Sequence, residues 1–203
     1  MLKLFAVMTG DKLNLQKENN AMTYKEYKRI LDHELYHVVP YGNGSLLSRL
    51  RIKYLQPNTN CVYLCRKMWF LYSRGKLGKI RAKFLYLKIL RKFGCIIYPS
   101  AIVDEGFHVA HPVGIVIGDC QIGKNFTIFQ GCTIGTGNPN PNDGRVSPII
   151  GDNVNLAANS VVVGGVTIAD NCIIGASTTV VRDLSVSGTY VGSPARLLDK
   201  KTK

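Results

Sequence analysis

Two histidines three positions apart are the first residues in this sequence whose type and spacing suggest chemistry. His108 and His111 lie in HVAHPVGIVIG, residues 108–118, at the start of a nearly neutral tract rich in glycine and valine. The other two histidines, His33 and His37, lie far upstream. An imidazole titrates near neutral pH and can act as a general base on a hydroxyl group. Because a lone histidine is more often a surface residue, the surrounding elements must decide its role.

The tract around these histidines has a period of six residues. Every sixth residue from 150 to 186 is aliphatic, and the spacing extends upstream: Ile97, Val103, Val109, Ile115, Ile122, Ile128, Ile134, Ile150, Leu156, Val162, Ile168, Ile174, Val180 and Val186. Only one step, from Ile115 to Ile122, has seven residues. A period of six fits neither a helix nor an ordinary strand, but it predicts a β-solenoid with one inward side chain per hexad. A β-sandwich with accidental spacing is the less favoured alternative.

Corners and one long loop interrupt these short strands. Asp or Asn beside glycine, as in IIGDNV and IADNCI, predicts corners. The gap from Ile134 to Ile150 is 16 residues rather than 12. It contains TGNPNPNDGRVSP, rich in proline, asparagine and glycine, which predicts an exposed loop at about residues 136–147.

Together with the hexads, three stretches carry a family resemblance: HPVGIVIG, GCTIGTG and VGSPARLL. Residues 97–198 resemble the hexapeptide-repeat acyltransferases, on their serine acetyltransferase-like branch. In its overall organisation the chain is most similar to the capsular or exopolysaccharide O-acetyltransferases. The resemblance implies a mainly β protein, a left-handed parallel β-helix, with a short basic α-helical N-terminal segment. It also implies acetyl-CoA as the acetyl donor and a homotrimer with sites between subunits. No metal is expected, because no second Cys/His pair completes a zinc site. Left-handedness rests on the resemblance alone, because parallel crossovers are normally right-handed.

The resemblance assigns roles to individual residues. His111 matches the family's catalytic base, whereas His108 has either a substrate contact or a corner role. Ala158 and Ala176 match small residues beside the pantetheine arm of the donor; the alternative is that each alanine only fits a corner. They are three hexads apart and are expected to stack one turn apart. Arg196 would meet the nucleotide end of the donor or cap the last coil.

Two departures from the family pattern concern the acceptor. Ile96 stands where serine acetyltransferases have an aspartate, and Ser147 where they have a histidine. A free amino acid needs charged partners once it is desolvated. We therefore expect an O-acetyltransferase acting on a bacterial saccharide, with serine O-acetylation as the alternative and a non-catalytic β-helix module as the rival class. Asp143 and Arg145 in the loop are the candidate acceptor contacts.

The group that orients His111 stays open. A backbone carbonyl, Asp104, Glu105 or a group from a neighbouring subunit would each serve.

Charge divides the chain into two regions. Residues 1–97 carry 19 Lys/Arg and 5 Asp/Glu, whereas residues 98–203 carry 7 and 8. The helical stripe in TYKEYKRILDHELYHVV and the aromatic, lysine-rich run at residues 58–94 predict a basic helical region. It either caps the first coil of the solenoid or lies on an anionic membrane. Nucleic acid is not expected, because no recognised binding motif accompanies the charge.

These observations predict four segments and a compartment. Residues 1–22 are expected to be a poorly ordered N-terminus, 23–96 the helical region, 97–198 the β-helix and 199–203 a tail. The six cysteines lack the spacing of a zinc site and predict reduced thiols. Neither a signal peptide nor a membrane-spanning run is readable. We expect a cytoplasmic protein, with the inner membrane face as a peripheral site.

Overall fold

The computed structural model describes residues 22–36 and 45–197. Four helices come first: α1 (Tyr24–Tyr36), α2 (Leu46–Leu55), α3 (Pro57–Tyr72) and α4 (Gly75–Phe93). The expected N-terminal segment, apart from Met22, and the expected tail lie outside the described residues. Gly94 ends α4 in a left-handed conformation with φ of 62°, a backbone conformation that glycine adopts without steric cost.

Short strands then wind into a solenoid, and all but the last two strands enter the three sheets in turn. Sheet A contains β1 (Ile96–Ile97), β4 (Val116–Ile117), β7 (Thr133–Gly135), β10 (Val161–Val163) and β13 (Thr179–Val180). Sheet B contains β2 (Ile102–Val103), β5 (Gln121–Ile122), β8 (Ile149–Ile150) and β11 (Thr167–Ile168). Sheet C contains β3 (His108–Val109), β6 (Thr127–Ile128), β9 (Asn155–Leu156), β12 (Ile173–Ile174), β14 (Thr189–Val191) and β15 (Arg196–Leu197). The pairs are parallel except β14 with β15, so the predicted parallel β-solenoid is confirmed.

The predicted inward positions form the core, with two corrections. From Ile122 to Val180 the hexad residues are almost fully buried. The expectation that Val186 continues the series is wrong, because Val186 is 57% exposed and Leu184 pairs with Ile168 instead. Ile115 is buried, but the residue that pairs with Ile134 in the strand ladder is Ile117. The last coil and the His111 corner therefore break the strict period.

Asparagines form the predicted corners. Asn125, Asn153, Asn159 and Asn171 all have φ between 55° and 60°, a left-handed conformation that asparagine tolerates better than most residues. Three of them also stack: the Asn125 side-chain amide donates to Asn153 at 2.9 Å, and that of Asn153 donates to Asn171 at 3.0 Å. This ladder satisfies polar groups that each corner would otherwise leave unpaired.

The helical region caps the open end of the solenoid. Helix α3 packs against β3, and α4 packs against β1. Trp69 lies edge-on to Phe107 at 5.4 Å between ring centroids, and Phe107 stacks on Phe126 at 6.3 Å. The Trp69 indole also donates to the carbonyl of Tyr98 at 3.1 Å. Apolar burial and these contacts fix the helices to the first coil.

A buried ion pair joins the helices to the segment that leads to His111. Arg66 on α3 donates two hydrogen bonds to Glu34 on α1, at 2.6 and 2.8 Å, and both side chains are almost fully buried. Arg66 also donates to the carbonyls of Val103 and Asp104. Glu34 accepts the backbone N–H groups of Gly106 and Phe107, both at 2.8 Å. The pair is therefore hydrogen-bonded on both sides, as buried charges require.

All six cysteines are free thiols and buried, in agreement with the expected reduced state. Cys61 and Cys65 share the inner face of α3 as their spacing predicts. Burial raises the pKa of the Cys120 thiol to about 12, so it is a small apolar group at neutral pH. None of the described helices has both the length and the apolar character needed to cross a bilayer.

Candidate active site

His111 lies at the corner between sheets C and A, where the chain takes extra residues. Val109 to Ile117 spans eight positions, whereas the same step in later coils, such as Ile128 to Ile134, spans six. The two additional residues push the corner outward and leave the His111 side chain exposed. Its ring stands edge-on to Phe129 of the next coil, with centroids 6.2 Å apart. An exposed imidazole at a widened corner is accessible to a substrate.

A cavity of about 460 Å³ lies on one side of His111. The corner and the helical cap line it together: Leu55, Pro57, Lys92, Phe93, His111, Pro112 and Val113. Lys92 is the only lysine, arginine or carboxylate in this lining. Its ammonium group donates to Asn60 Oδ1 at 2.6 Å and lies 5.4 Å from the Phe93 ring centroid. The cavity is therefore mostly apolar with one cation, which favours a ligand that has a negative or neutral polar group.

The two predicted alanines stack at this same corner. The backbone N–H of Ser177 donates to the carbonyl of Ala158 at 2.9 Å, which places Ala176 one coil beyond Ala158. Asn159 donates in the same way to Gln130, one coil before. Along the corner edge that contains His111, Gln130 occupies the next coil, and the small residues Ala158 and Ala176 occupy the two coils after it. Their contact with an extended thioester arm stays a prediction.

Gln130 is a site residue that the sequence did not single out. It occupies the coil between His111 and Ala158, and among the described residues nothing hydrogen-bonds to its buried Oε1 atom. A buried acceptor without a partner is unfavourable by about 1–3 kcal/mol. Its position therefore favours contact with a donor from a ligand or from another copy of the chain.

His108 and Arg196 lie near this edge but not at it. His108 is in β3, opposite Thr127 in β6, and is partly buried on the outer side of sheet C. Desolvation by burial lowers the pKa of His108, so its imidazole is neutral at pH 7. Arg196 is in β15, opposite Val191, and is exposed at the far end of the solenoid.

The two loop residues expected to bind the acceptor are held within the loop. Arg145 is only 8% exposed in its side chain and pairs with Asp143 at 3.3 Å. Its guanidinium also donates to the carbonyls of Ser147 and Val166 and to Thr167 Oγ1, at 2.5, 3.2 and 2.9 Å. The loop leaves the corner between sheets A and B, not the His111 corner. The expectation that Arg145 contacts substrate is not supported, because its donors already fix the loop.

Neither of the two positions that depart from the family pattern has a charged side chain in this protein. Ile96 is in β1, directly beside Val116 of β4, and its N–H donates to the carbonyl of Ile115 at 2.8 Å. Ser147 lies at the end of the loop. Of the candidates for orienting His111, Glu105 instead pairs with Arg29 at 2.7 Å and Lys124 at 3.5 Å. The Arg29 hydrogen bond holds the pKa of Glu105 below its usual range.

Enlarging Ala158 tests whether the corner edge holds the donor. Ala158→Leu is expected to raise the KM for acetyl-CoA by roughly tenfold or more, because a leucine side chain would occupy the edge. Steady-state kinetics at saturating acceptor measure it. Ala169→Leu is the matched control, since Ala169 is also half-buried but lies between sheets B and C. An equal rise in KM for both variants would argue against a donor at the His111 edge.

Comparison with known proteins gives the same fold and a consistent class. The profile described as "Bacterial transferase hexapeptide (six repeats)" matches residues 147–182. The serine acetyltransferase of Staphylococcus xylosus is 40% identical over 131 residues, which cover 63% of this chain and 58% of the relative. The serine acetyltransferase of Bacillus subtilis is 37% identical over 112 residues, covering 54% and 50%. The chain therefore spans little more than half the length of these relatives.

Solved structures match a larger share of this chain than the two sequence relatives do. The Neisseria gonorrhoeae serine acetyltransferase in complex with serine matches with a TM-score of 0.72 and 28% identity. The match covers 88% of this chain and 72% of the other. It includes the helical cap as well as the coils. The resemblance to left-handed β-helix acyltransferases, on the serine acetyltransferase-like branch, is therefore confirmed, and so is the predicted fold class.

Proposed function

We propose that this chain is an O-acetyltransferase that moves an acetyl group from acetyl-CoA to a hydroxyl group, with His111 as the general base. One observation carries the proposal: the exposed His111 lines a cavity of about 460 Å³ and shares its corner of the solenoid with Gln130, Ala158 and Ala176. The relatives named serine acetyltransferase support the same chemistry. A non-catalytic assembly module would not require this arrangement.

The proposed reaction needs His111 in its neutral form. The imidazole accepts the proton of the acceptor hydroxyl as its oxygen attacks the thioester carbonyl. The tetrahedral intermediate then collapses, the carbon–sulfur bond breaks, and the imidazolium returns the proton to the leaving thiolate. In this proposal, Ala158 and Ala176 leave room for the donor along the edge, and the exposed Arg196 would contact its phosphates. Apolar cavity walls, such as Phe93, exclude water that would hydrolyse the thioester.

L-Serine is the first candidate acceptor. The relatives are serine acetyltransferases, and one matching structure is a complex with serine. Lys92 in the cavity beside His111 supports this choice, because its ammonium group can pair with the carboxylate of an amino acid. Burying a carboxylate without such a partner would be strongly unfavourable.

A saccharide hydroxyl is the second candidate, and Ile96 is the observation that favours it. This apolar side chain stands at the family's aspartate position, and the cavity lining of the single chain contains no carboxylate for the ammonium group of serine. Ser147 likewise replaces a histidine. A neutral sugar needs hydrogen bonds and an apolar surface for its ring face, which the cavity offers through Phe93 and Pro112.

A thiol-release assay with acetyl-CoA and a panel of acceptors separates the two candidates. If serine is the acceptor, kcat/KM is expected in the usual enzyme range, roughly 10⁴ M⁻¹s⁻¹ or above. Lys92→Met should then raise the KM for serine at least tenfold, because the carboxylate loses its partner. Turnover of neutral saccharides that is unchanged by Lys92→Met, with none of serine, would instead establish the second candidate. No turnover with any hydroxyl acceptor would contradict the enzyme assignment.

We also propose a homotrimer as the working unit. The loop with Asp143 and Arg145 lies at a different corner from His111 in the same chain. A triangular solenoid has flat faces, and a neighbouring copy would bring its own loop to the His111 corner. The unpaired Oε1 of Gln130 is in the same region. This arrangement would complete a site that one chain supplies only in part.

A further inference from the structure

Helix α4 has two apolar faces, and only one of them is covered. Gly78, Ala82 and Ile89 are buried, on the side that packs against α3 and β1. Leu77, Ile80 and Phe84 are 67%, 56% and 69% exposed. Their spacing of three and four residues aligns them in one stripe, and at 100° per residue this stripe is opposite the buried face. A helix that only capped the solenoid would not need this outer stripe.

Cations flank the outer stripe on both sides. At 100° per residue, Lys76, Lys79 and Lys83 lie along one side, and Arg81, Lys88 and Lys92 along the other, with Arg91 at the C-terminal end. All seven are exposed. No acidic residue occurs anywhere between positions 35 and 103. Accordingly, none of the ion pairs among the described residues includes an α4 side chain.

The surface extends from α4 toward α2 and the His111 cavity. Phe84, Leu87, Lys88, Arg91 and Lys92 line a groove of about 410 Å³. Lys92 also lines the cavity beside His111, together with Leu55 at the end of α2. Leu55 itself is 75% exposed, and α2 contains no acidic residue. Apolar and cationic groups are thus continuous from α2 to the outer stripe.

A second copy of the chain, nucleic acid and an anionic bilayer are the three candidate partners for this surface. Its combination of apolar and cationic groups excludes the first two. A second copy packed with the same face would bring seven cations against seven cations, which is unfavourable at this spacing. Nucleic acid would neutralise the lysines but leave the central stripe of Leu77, Ile80 and Phe84 in water. An anionic bilayer satisfies both, because lysines reach the headgroup phosphates while the apolar stripe enters the interface.

We propose that α4 docks on an anionic bilayer surface, with Leu77, Ile80 and Phe84 inserted below the headgroups and the flanking cations in contact with lipid phosphates. Because Lys92 belongs to both surfaces, the His111 cavity would open next to the membrane. The proposal does not depend on acetyl transfer, so it can be tested whatever the acceptor.

Co-sedimentation of the full chain with vesicles tests the docking. Vesicles of phosphatidylglycerol and phosphatidylcholine should bind the chain at moderate salt, and more strongly at low ionic strength. Pure phosphatidylcholine vesicles should bind at least tenfold less, because each lysine loses its anionic partner. Equal binding to both vesicle types, or no binding even at low ionic strength, would overturn the proposal. Retention on duplex DNA with no binding to vesicles would also overturn it and identify nucleic acid as the partner.

Two pairs of variants with matched controls locate the contact. Ile80→Ser with Phe84→Ser should weaken vesicle binding roughly tenfold or more, whereas Val181→Ser with Val186→Ser, exposed on the solenoid, should not. Lys79→Glu with Lys83→Glu should weaken it about 25-fold or more, and the same charge change at Lys25 and Lys28 on α1 much less. Circular dichroism checks that each variant is folded. Equal effects of a test pair and its control, or a concentration-dependent dimer abolished by the stripe variants, would refute membrane docking by α4.

Discussion

Replacing His111 with alanine is expected to lower acetyl transfer by roughly 100-fold or more, the usual scale for removal of a general base. Without the imidazole, the acceptor hydroxyl must lose its proton to water, and a neutral hydroxyl is a poor nucleophile toward a thioester. Thiol release from acetyl-CoA measures the rate. Calorimetry should show unchanged acetyl-CoA binding, because the proposed donor contacts at Ala158 and Ala176 are one and two coils beyond Gln130.

His108→Ala provides the matched control for this experiment. His108 is three residues away on the outer side of sheet C, and its neutral imidazole is partly buried there. We expect a change in rate of less than about fivefold, since a positioned base contributes far more than that. Near-normal turnover in the His111 variant, or an equal loss in both variants, would remove His111 from the mechanism.

The solenoid could be predicted from the sequence because each coil repeats one local rule. An inward aliphatic residue every six positions, together with asparagines that tolerate left-handed corners, specifies the strands without knowledge of distant contacts. The rule failed at Val186, where Leu184 and Tyr190 take over the core positions. An aliphatic residue at the right interval therefore does not guarantee an inward position in the last coil, where the backbone follows a different path.

The detailed shape of the His111 corner was not predictable from periodicity. The sequence spacing placed a single seven-residue step between Ile115 and Ile122. The structure instead has eight positions from Val109 to Ile117 and five from Ile117 to Ile122. Since Ile115 is buried as well, both registers satisfy the aliphatic pattern. Backbone pairing of β4 with β1 and β7 decides between them.

The cavity beside His111 depends on contacts that no local motif encodes. Lys92 and Phe93 end one helix, Leu55 ends another, and both meet the His111 corner only after the cap has docked. Arg145 shows the same dependence on packing. A cation in a polar loop predicts substrate binding, and within one chain its hydrogen bonds to Ser147 and Val166 lie within the fold. The sequence gives the residue types, whereas long-range packing determines which side chains can contact a ligand.

The ion pair of Glu34 and Arg66 was equally hidden in the sequence, since the two residues are 32 positions apart. Arg66→Met is expected to lower the free energy of unfolding by about 3–5 kcal/mol, the usual effect of removing one partner of a buried pair. Glu34 would remain buried with only the N–H groups of Gly106 and Phe107, and the carbonyl of Val103 would lose its donor. Urea unfolding at fixed protein concentration measures the change.

Arg29→Met is the control for the charge itself. Arg29 also forms an arginine–glutamate pair, with Glu105, but its side chain is 63% exposed. Exposed pairs contribute about 0–1 kcal/mol because water solvates both partners. A loss for Arg66→Met no larger than that for Arg29→Met would mean that the buried pair does not fix the cap to the first coil.

A double variant that removes both charges distinguishes the contribution of the ion pair from that of the backbone groups that bond to it. Replacing a buried ion pair by apolar residues is often neutral or stabilising. In Glu34→Leu with Arg66→Met, however, Gly106, Phe107, Val103 and Asp104 would all lose their side-chain partners. Each unsatisfied buried backbone group costs about 1–3 kcal/mol. We therefore expect the double variant to regain little stability, and full recovery would show that the bonds to residues 103–107, which lead to His111, are dispensable.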